Sequence, residues 1–369
     1  MSDLQQLSGR ILTPTGWVEG TLAFDEKIRA IEAKTLTGPQ PVILPGFIDT
    51  HVHGGGGADT MQGGDAVVTL SRLHARHGTT SLLATTMTAP ESDIVAALTA
   101  LSGVCAVRPP QAARVLGVHL EGPYINRGKL GAQPDNTSQA ALSQFDRFNR
   151  IAPIRLVTIA PEIPGHLDII AALKARGVRV QLGHTLGSYE DGVAALKHGA
   201  HGFTHLFNAM TGLHHREPGM VGAALAHAEY AELIPDLLHI HPGAMHAAMR
   251  AIPRLFCVTD STAAAGMPDG QYQLGSHTVT KCLGGVRLAD GTLAGSTLTM
   301  DQALRNLVSI GLDLADASHR LSQNPADYLG LADRGRLGDG CWADLTVFDT
   351  DLNLTHVYVE GESLVLADA

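Results

Sequence analysis

Histidine and acidic side chains of this sequence stand where apolar segments end, and their types and spacing suit metal binding. His51 and His53 follow an apolar run that starts after Pro45-Gly46, and four glycines come after them. Residues two positions apart in an extended strand point to the same side, so both imidazoles can bind one ion. The alternative is a pair of ordinary surface histidines, which the position at a strand end disfavours.

Four further side chains occupy comparable positions. Glu121 ends an apolar run, where it could instead cap a helix or face solvent. His184 and His205 end consecutive predicted strands; one alone would more often be a satisfied core histidine, but two in register indicate ligands. Asp260 ends the last run, where it could cap the next helix. Nitrogen and oxygen ligands without a thiolate suit Zn²⁺ or another first-row divalent ion, which lowers the pKa of a bound water toward neutrality.

The elements that must position these residues are predicted by apolar runs that alternate with amphipathic segments. Eight strands separated by helices predict an α/β fold, a parallel (β/α)₈ TIM barrel whose functional residues lie where strands end. Pro235 interrupts the seventh run. The apolar runs span 42–50, 79–86, 114–120, 154–160, 178–183, 202–207, 232–240 and 254–259, and the amphipathic segments span 65–77, 91–101, 137–150, 166–176 and 188–198.

The two ends of the chain resemble each other. Both contain short β segments separated by Gly, Pro and acidic turns, such as 20–24 and 343–349. We therefore predict a small β-sandwich domain built from residues 1–45 and 335–369, and a metal-dependent catalytic barrel at 46–334. The 369 residues allow both, since such a barrel uses about 250.

Composition excludes several classes of function. The net charge of −10 and the absence of a Lys/Arg run argue against nucleic acid as a partner. No apolar run reaches the ~18–20 residues of a membrane helix, and the first residues lack the apolar core of a signal peptide. The four cysteines are scattered without a CxxC spacing. These features are typical of a reduced, cytoplasmic enzyme.

Short motifs occur along nearly the whole chain. They are PGFID followed by HVHG (45–54), HLEGPY (119–124), LGHT (182–185), THLFNAM (204–210), HHREPG (214–219), VTDST (258–262), AAGMPDG (264–270) and LAGSTLTM (293–300). With these motifs the chain resembles the N-acetylglucosamine-6-phosphate deacetylases of the amidohydrolase superfamily over nearly its whole length. HLEGP, THLFNAM and REPG together are highly specific, whereas the HxH pair and the terminal ADLTVFD (343–349) mark only the superfamily.

The resemblance implies roles for the residues at the strand ends. One or two divalent ions per subunit are implied, with Zn²⁺ expected first and Fe²⁺ or another first-row ion as alternatives. Asp260 matches the acid/base of the family. The principal metal ligands are implied to be Glu121, His184 and His205, and His51 and His53 match a position where some members bind a second ion, with Glu121 as the candidate bridge.

The resemblance also implies a sugar-phosphate site and a homodimer, because some phosphate contacts of the family cross a dimer interface. Asn208, the backbone of Ala209, Arg216 and His239 match residues around the phosphate. For Arg216 the alternative is a surface ion pair with Glu217.

Two departures from the family concern the substrate more than the reaction. The family usually has a substrate-contacting His where this chain has Gln133. Residues 234–238 read IPDLL, where the family more often has a small, Gly-containing sequence.

The implied reaction is hydrolysis of N-acetyl-D-glucosamine 6-phosphate to D-glucosamine 6-phosphate and acetate. One alternative is the same reaction on the 4-epimer, N-acetyl-D-galactosamine 6-phosphate. Another is a different amidohydrolase, such as a cyclic amidase or acylamino-acid deacylase; many of these carry a modified Lys at the end of strand four, where this chain reads IAPE (159–162). A non-catalytic scaffold of the same fold predicts lost ligands, and none of the expected set is missing.

Overall fold

Strands and helices alternate along the chain in the computed structural model, which describes residues 4–366. The strands are β1 (Gln5–Thr13), β2 (Gly16–Phe24), β3 (Ile28–Ala33), β4 (Val42–Pro45), β5 (Phe47–Val52), β6 (Gly54–Gly55), β7 (Ala58–Asp59), β8 (Thr79–Thr86), β9 (Arg114–Glu121), β10 (Ile154–Ile159), β11 (Arg179–Leu182), β12 (Gly202–Phe203), β13 (Glu232–Leu233), β14 (Phe256–Cys257), β15 (Gly270–Leu274), β16 (His277–Cys282), β17 (Gly285–Arg287), β18 (Leu345–Phe348), β19 (Leu354–Val359) and β20 (Glu362–Ser363).

The helices follow most of the predicted amphipathic segments. They begin and end by ordinary capping rules: Ser188 caps the fifth helix with its hydroxyl, and Gly199 ends that helix in a left-handed conformation. The helices are α1 (Ala66–Arg76), α2 (Glu91–Ala106), α3 (Leu142–Ile151), α4 (His166–Ala175), α5 (Tyr189–His198), α6 (Gly219–His227), α7 (Pro242–Ala251), α8 (Met300–Ser309), α9 (Leu314–Leu321) and α10 (Gln323–Leu329). Within residues 4–366, none of them has both the length and the apolarity to cross a membrane.

Eight parallel strands form the predicted (β/α)₈ barrel, and the α/β fold class is confirmed. Six of them share one sheet in the order β12-β11-β10-β9-β8-β5, and β13 pairs with β14. Backbone hydrogen bonds close the ring: Leu206 N donates to Glu232 O (2.9 Å), and His53 N donates to Ser261 O (2.9 Å). β5 and β8 are buried along their whole length, as expected of parallel strands that are covered on both faces.

The two ends of the chain meet in one seven-stranded sheet of order β20-β19-β18-β4-β1-β2-β3. β4 joins the halves because it pairs in parallel with β1 and antiparallel with β18, with Ile43 opposite Val347. This sheet has its own apolar core, which includes Ile11, Phe24 and Tyr358. The division of the chain at residues 45 and 334 stays a prediction.

Four predicted runs differ in extent from the structure. The run 42–50 is broken at Gly46, so that β4 lies in the terminal sheet and β5 in the barrel. A Cβ at Gly46 would lie 2.2 Å from Cγ2 of Thr80, which explains the glycine at this crossing. The sixth, seventh and eighth runs contain strands of only two residues. The backbone turns left-handed at His205 and at Asp260, and Pro235 has no N–H for a ladder.

Sequence reasoning missed a small antiparallel sheet, β15-β16-β17, between the last barrel strand and α8. Its core consists of Leu274, Val279 and Val286, packed against Met87 beside the second barrel strand. The alternation of exposed and inward residues in β15 and β16 is the signal that could have identified it.

Candidate active site

Four predicted site residues have left-handed backbone conformations: Ala209, with a φ of +50°, and three polar residues at strand ends. The angle φ is +49° at His184, +28° at His205 and +51° at Asp260. Such values are uncommon for residues other than glycine and cluster at functional sites. Each of the three polar residues follows a barrel strand by two or three positions. The strained turns therefore bring these side chains together over the mouth of the barrel.

Glu121, the last residue of β9, brings two of these histidines to one carboxylate oxygen. Its Oε1 lies 3.1 Å from Nε2 of His184 and 3.1 Å from Nε2 of His205. The two Nε2 atoms are themselves 3.1 Å apart, and all three side chains are buried. The structure thus brings together the three residues predicted as principal ligands.

A second group lies on the other side of Glu121. The Nε2 atoms of His51 and His53 are 3.2 Å apart, and each lies 3.3 Å from Oδ1 of Asp260. Glu121 Oε2 is 3.1 Å from His53 Nε2, and Glu121 Oε1 is 3.4 Å from His51 Nε2. Glu121 therefore contacts both groups, as a bridging ligand must.

The chemistry and spacing of these atoms fit divalent cations. Among the described residues, three sets of three possible ligand atoms converge. Two of them contain the predicted ligands, one from His51, His53 and Asp260 and one from Glu121, His184 and His205, and the third comes from His51, His119 and Glu232. A tetrahedral Zn²⁺ with ligands at about 2.0–2.1 Å holds them about 3.3 Å apart. In the described part of the chain, every ion pair of Glu121 and of Asp260 is with a histidine. Within residues 4–366, no Lys or Arg forms an ion pair with Glu121 or Asp260.

Asp260 is placed to accept a proton. Burial raises the pKa of Asp260, but the charge of His51 and the hydrogen bond from His53 outweigh burial and hold it at about 2. The carboxylate is therefore ionised at neutral pH, as a general base requires. Its carbonyl oxygen also accepts from Ser296 N (2.8 Å), which ties Asp260 to the segment after β17.

Two buried residues behind the cluster escaped sequence reasoning. His119 is held between Thr50 O (3.1 Å) and Thr158 Oγ1 (2.7 Å), and burial lowers its pKa to about 3, so the ring is neutral. Glu232 places Oε2 3.0 Å from Nδ1 of His51. The available signals were the His that opens HLEGPY and an acidic residue within an apolar run.

A cavity of about 220 Å³ lies above the cluster. The segment from β15 to Gly295 covers one side of it, through Leu274, Thr292, Leu293 and Gly295. The other lining residues are His53, Met87, Glu121, Gly131, Ala132, Gln133, His184, His205, Asn208, Ala209, Ile234, His239 and Asp260. Nine of the eleven predicted site residues thus line the cavity, whereas His51 and Arg216 are not among its lining residues.

Gln133 has a fixed orientation in this cavity. The backbone N–H of Thr88 donates to its Oε1 (2.7 Å), and its Nε2 donates to Oε2 of Glu121 (2.6 Å). The side chain is 5% exposed. Because an amide nitrogen carries two protons, one N–H of Gln133 stays free for another acceptor.

The predicted sugar-phosphate residues divide into two groups. Asn208, Ala209 and His239 line the cavity. Burial lowers the pKa of His239, but a 2.7 Å contact between its Nδ1 and Asp236 Oδ2 more than offsets burial, so the pKa is raised overall and favours a cationic ring.

Arg216 does not reach the cavity of its own chain. It is exposed, and its Nη1 lies 2.9 Å from His215 Nε2. The alternative ion pair between Arg216 and Glu217 is absent from the described residues.

The fold and the site define a (β/α)₈-barrel protein with candidate metal ligands at the carboxyl ends of its strands. Residues 42–364 match the model of the amidohydrolase family, and the chain belongs to that family. It is 40% identical to an N-acetylgalactosamine-6-phosphate deacetylase of Escherichia coli O157:H7, over 96% of this chain and 97% of the relative. It is 39% identical to an N-acetylglucosamine-6-phosphate deacetylase of Vibrio furnissii, over 86% and 82%.

A solved structure agrees with these relatives. A mutant N-acetyl-D-glucosamine-6-phosphate deacetylase of Mycobacterium smegmatis, in complex with N-acetyl-D-glucosamine-6-phosphate, superimposes with a TM-score of 0.91 at 34% identity. The match covers 99% of this chain and all of that chain. This chain is an amidohydrolase enzyme.

Proposed function

We propose that the protein hydrolyses N-acetyl-D-glucosamine 6-phosphate to D-glucosamine 6-phosphate and acetate. The observation that carries the proposal is the convergence of Glu121, His184, His205 and Asp260 at the floor of one cavity. The relatives and the substrate complex of the solved structure support the choice of an amino-sugar phosphate.

The proposed chemistry assigns a distinct task to each side chain. Glu121, His184 and His205 would hold the principal cation, and His51 and His53 a second one. A divalent cation bound there lowers the pKa of water and polarises the acetyl carbonyl. Asp260 takes a proton from the attacking water as the oxygen bonds to the acetyl carbon. It returns that proton to the sugar nitrogen as the C–N bond breaks, which releases acetate and the amine.

Charge at the cavity rim supports binding of the sugar phosphate. His239, held by Asp236, and the amide of Asn208 are donors on the wall of the cavity. Arg216 offers a guanidinium fork that matches phosphate oxygens. Since Arg216 lies outside its own cavity, we propose that it serves the partner's cavity in a homodimer.

The 4-epimer, N-acetyl-D-galactosamine 6-phosphate, is the second candidate substrate. The 40% identity to a relative of that name, over nearly the full length of both chains, favours it. Gln133, which replaces a family His, lines the cavity, and we propose that it contacts a hydroxyl of the sugar.

Three finer assignments complete the proposal. We propose Zn²⁺ as the ion, because the ligands are nitrogen and carboxylate oxygen. We propose a cytoplasmic location, which the four free cysteines support. We also propose the domain division into 1–45 with 335–369 and 46–334.

Acetate release tests the proposal. N-acetyl-glucosamine and N-acetyl-galactosamine, each with and without 6-phosphate, are incubated with enzyme that has been dialysed against a chelator and then reloaded with Zn²⁺. We expect turnover of the 6-phosphates by the reloaded enzyme and none before reloading. Full activity in a verified metal-free preparation, or no release from either 6-phosphate, rejects the proposal.

A further inference from the structure

Glu232 is a fully buried carboxylate that none of the proposed reaction steps uses. It opens β13, the seventh barrel strand, and its side chain crosses the barrel interior to the first strand. Its Oε1 accepts from Thr50 Oγ1 (2.8 Å), and its Oε2 lies 3.0 Å from His51 Nδ1. Among the described residues, its only ion pair is the one with His51.

The contact with Glu232 fixes which nitrogen of His51 faces the site. A carboxylate only accepts hydrogen bonds, so the proton of the ring sits on Nδ1 and is donated to Glu232. In the neutral ring, the form that binds a metal, the lone pair of Nε2 then points at His53, Glu121 and Asp260. This is the arrangement by which a carboxylate orients a histidine ligand and makes it more basic.

The other three histidines of the cluster lack such a partner. Nδ1 of His184 lies 2.9 Å from a backbone carbonyl, that of Lys129. Nδ1 of His53 and Nδ1 of His205 have no hydrogen-bond partner within the described chain. The buried carboxylate of Glu232 therefore supports His51 alone among the four histidines, and so it acts on the metal position that contains His51.

We propose that Glu232 is the positioning residue of the second metal position and that, through His51, it enables this chain to bind two cations per subunit. A buried carboxylate is strongly disfavoured unless a positive charge compensates it. A cation on Nε2 of His51 supplies that charge through the ring. The inference rests on the proposed metal-dependent function and adds to it the number of ions and the residue that sets it.

Metal stoichiometry tests the inference without any substrate. The protein is saturated with Zn²⁺, freed of excess ion and analysed for metal per folded subunit, and each affinity is measured by competition with a chromophoric chelator. We expect two ions in the unaltered protein and one in Glu232→Gln. The affinity of the lost position should fall about 10-fold to 100-fold, the usual effect of losing such a partner.

Matched variants separate this role from general support of the fold. Glu162→Gln makes the same substitution at a carboxylate that binds Asn126, Thr185 and Leu186 but no histidine ring, and it should keep two ions. In a His51→Ala background, Glu232→Gln should cause no further loss of metal. Glu232→Asp keeps the negative charge, but its shorter side chain moves the carboxylate away from Nδ1 of His51. This variant should also lose one ion, and it takes the place of Glu232→Gln in the test if Glu232→Gln does not fold.

Three results would overturn the inference. They are two ions at unchanged affinity in Glu232→Gln, a single ion in the unaltered protein, and equal loss of both ions from a folded variant. Failure of the proposed function gives a different result, because it appears as acetate release by metal-free enzyme or as none from either sugar phosphate.

Discussion

At the scale of single residues, Glu121 divides its oxygens between two sets of side chains. Oε1 contacts His184 and His205, while Oε2 contacts His53 and Gln133. A change at any one of these contacts therefore alters the carboxylate that both proposed metal positions share. The proposed proton-transfer group, Asp260, contacts His51 and His53 and can be altered separately from Glu121.

Asp260→Asn should remove proton transfer while it preserves the size of the side chain. We expect kcat to fall by at least ~10²–10⁴-fold, the usual contribution of general acid–base catalysis. The ion held by Glu121, His184 and His205 should remain, as elemental analysis would show. A kcat within a few-fold of the unaltered enzyme would place the base elsewhere.

Gln133→His should change the preference between the two 6-phosphate epimers. The amide of Gln133 is held by Thr88 and Glu121, and its remaining N–H is available to the substrate. Imidazole has a different shape and can become cationic. The ratio of kcat/KM between the epimers is the measurement. A uniform change on both would mean that Gln133 supplies a simple hydrogen bond, and no change would mean that it does not touch the sugar.

At the scale of elements, the β15–β17 sheet and the segment that follows it form one wall of the cavity and hold Asp260 in place. Gly295 is the closest point of contact. Its φ is +62°, and a Cβ there would lie 2.8 Å from the carbonyl oxygen of Asp260 and 2.7 Å from Cγ2 of Thr262. The position of Asp260, the proposed general base, thus depends on a glycine 35 residues further along the chain.

Gly295→Ala should displace Asp260 and lower kcat about 10-fold to 100-fold, because a misplacement of about 1 Å has an effect of that order. Gly291→Ala is the matched control. Gly291 also has a positive φ (+90°), but nothing lies within 4 Å of the added Cβ. It should cost roughly 1–2 kcal/mol in stability, the usual strain of a left-handed residue, and leave kcat unchanged. Equal kcat values for the two variants would contradict the proposed wall contact.

The sequence predicted those parts of the site that local pattern encodes. The HxH spacing and the polar strand ends identified side chains that the structure does bring together, because barrel strands end at one face. The roles of these residues as ligands stay predictions. The helices α1, α2, α4 and α5 were predicted within a few residues, apart from the longer end of α2, since their periodicity is strong.

Other features depend on contacts that no local pattern encodes. Glu232 acts on His51 from a strand 181 positions away, and an acidic residue in a short apolar run gives no indication of its partner. The position of Arg216 outside its own cavity depends on the path of an exposed loop. One continuous apolar run forms strands of two different sheets, β4 and β5, on either side of Gly46. The glycine is needed there because Thr80, which is distant in sequence, leaves no room for a Cβ.

At the scale of the whole molecule, ion pairs connect the terminal sheet to the barrel. Glu360, which follows β19, contacts Arg108, Arg114 in the barrel strand β9, and Arg334. Its side chain is only 10% exposed. Burial raises the pKa of Glu360, but the hydrogen bonds from Arg114 and Arg334 outweigh burial and hold it at about 2.

Glu360→Gln should destabilise the protein by about 3 kcal/mol at pH 7, because it leaves buried arginines without their partner. The folded pKa lies below the ordinary value of 4.5, so the stabilisation is complete above about pH 4.5 and disappears as the pH falls toward 2. The urea midpoints of Glu360→Gln and of the unaltered protein should therefore differ more at pH 7 than at pH 3. Glu229→Gln, at an exposed pair with Arg254, should change stability by less than about 1 kcal/mol at either pH. If Glu360→Gln lost the same stability at pH 7 and at pH 3, the stabilisation could not come from the ionised carboxylate of Glu360.

Mixed dimers test whether Arg216 serves the partner. Arg216→Ala should raise KM for the phosphorylated sugar about tenfold to hundredfold, as expected for a charge-assisted contact of roughly 1.5–3 kcal/mol. When Arg216→Ala and Asp260→Asn subunits are mixed, one site of each mixed dimer combines an intact Asp260 with an intact Arg216. Activity at low substrate should then exceed the sum of the two parents. An activity equal to that sum would place Arg216 outside the partner's site.

The order of the terminal sheet has a consequence for biosynthesis. β4 leaves the ribosome early, but its partner β18 follows about 300 residues later. At roughly 5–20 residues per second, Val42, Ile43 and Leu44 await that partner for about 15–60 s. During this interval their apolar edge can pair with the edge of another nascent chain. The same edge stays open permanently in a chain that is cut before β18, so such a fragment should accumulate in inclusion bodies even though its barrel strands are all present.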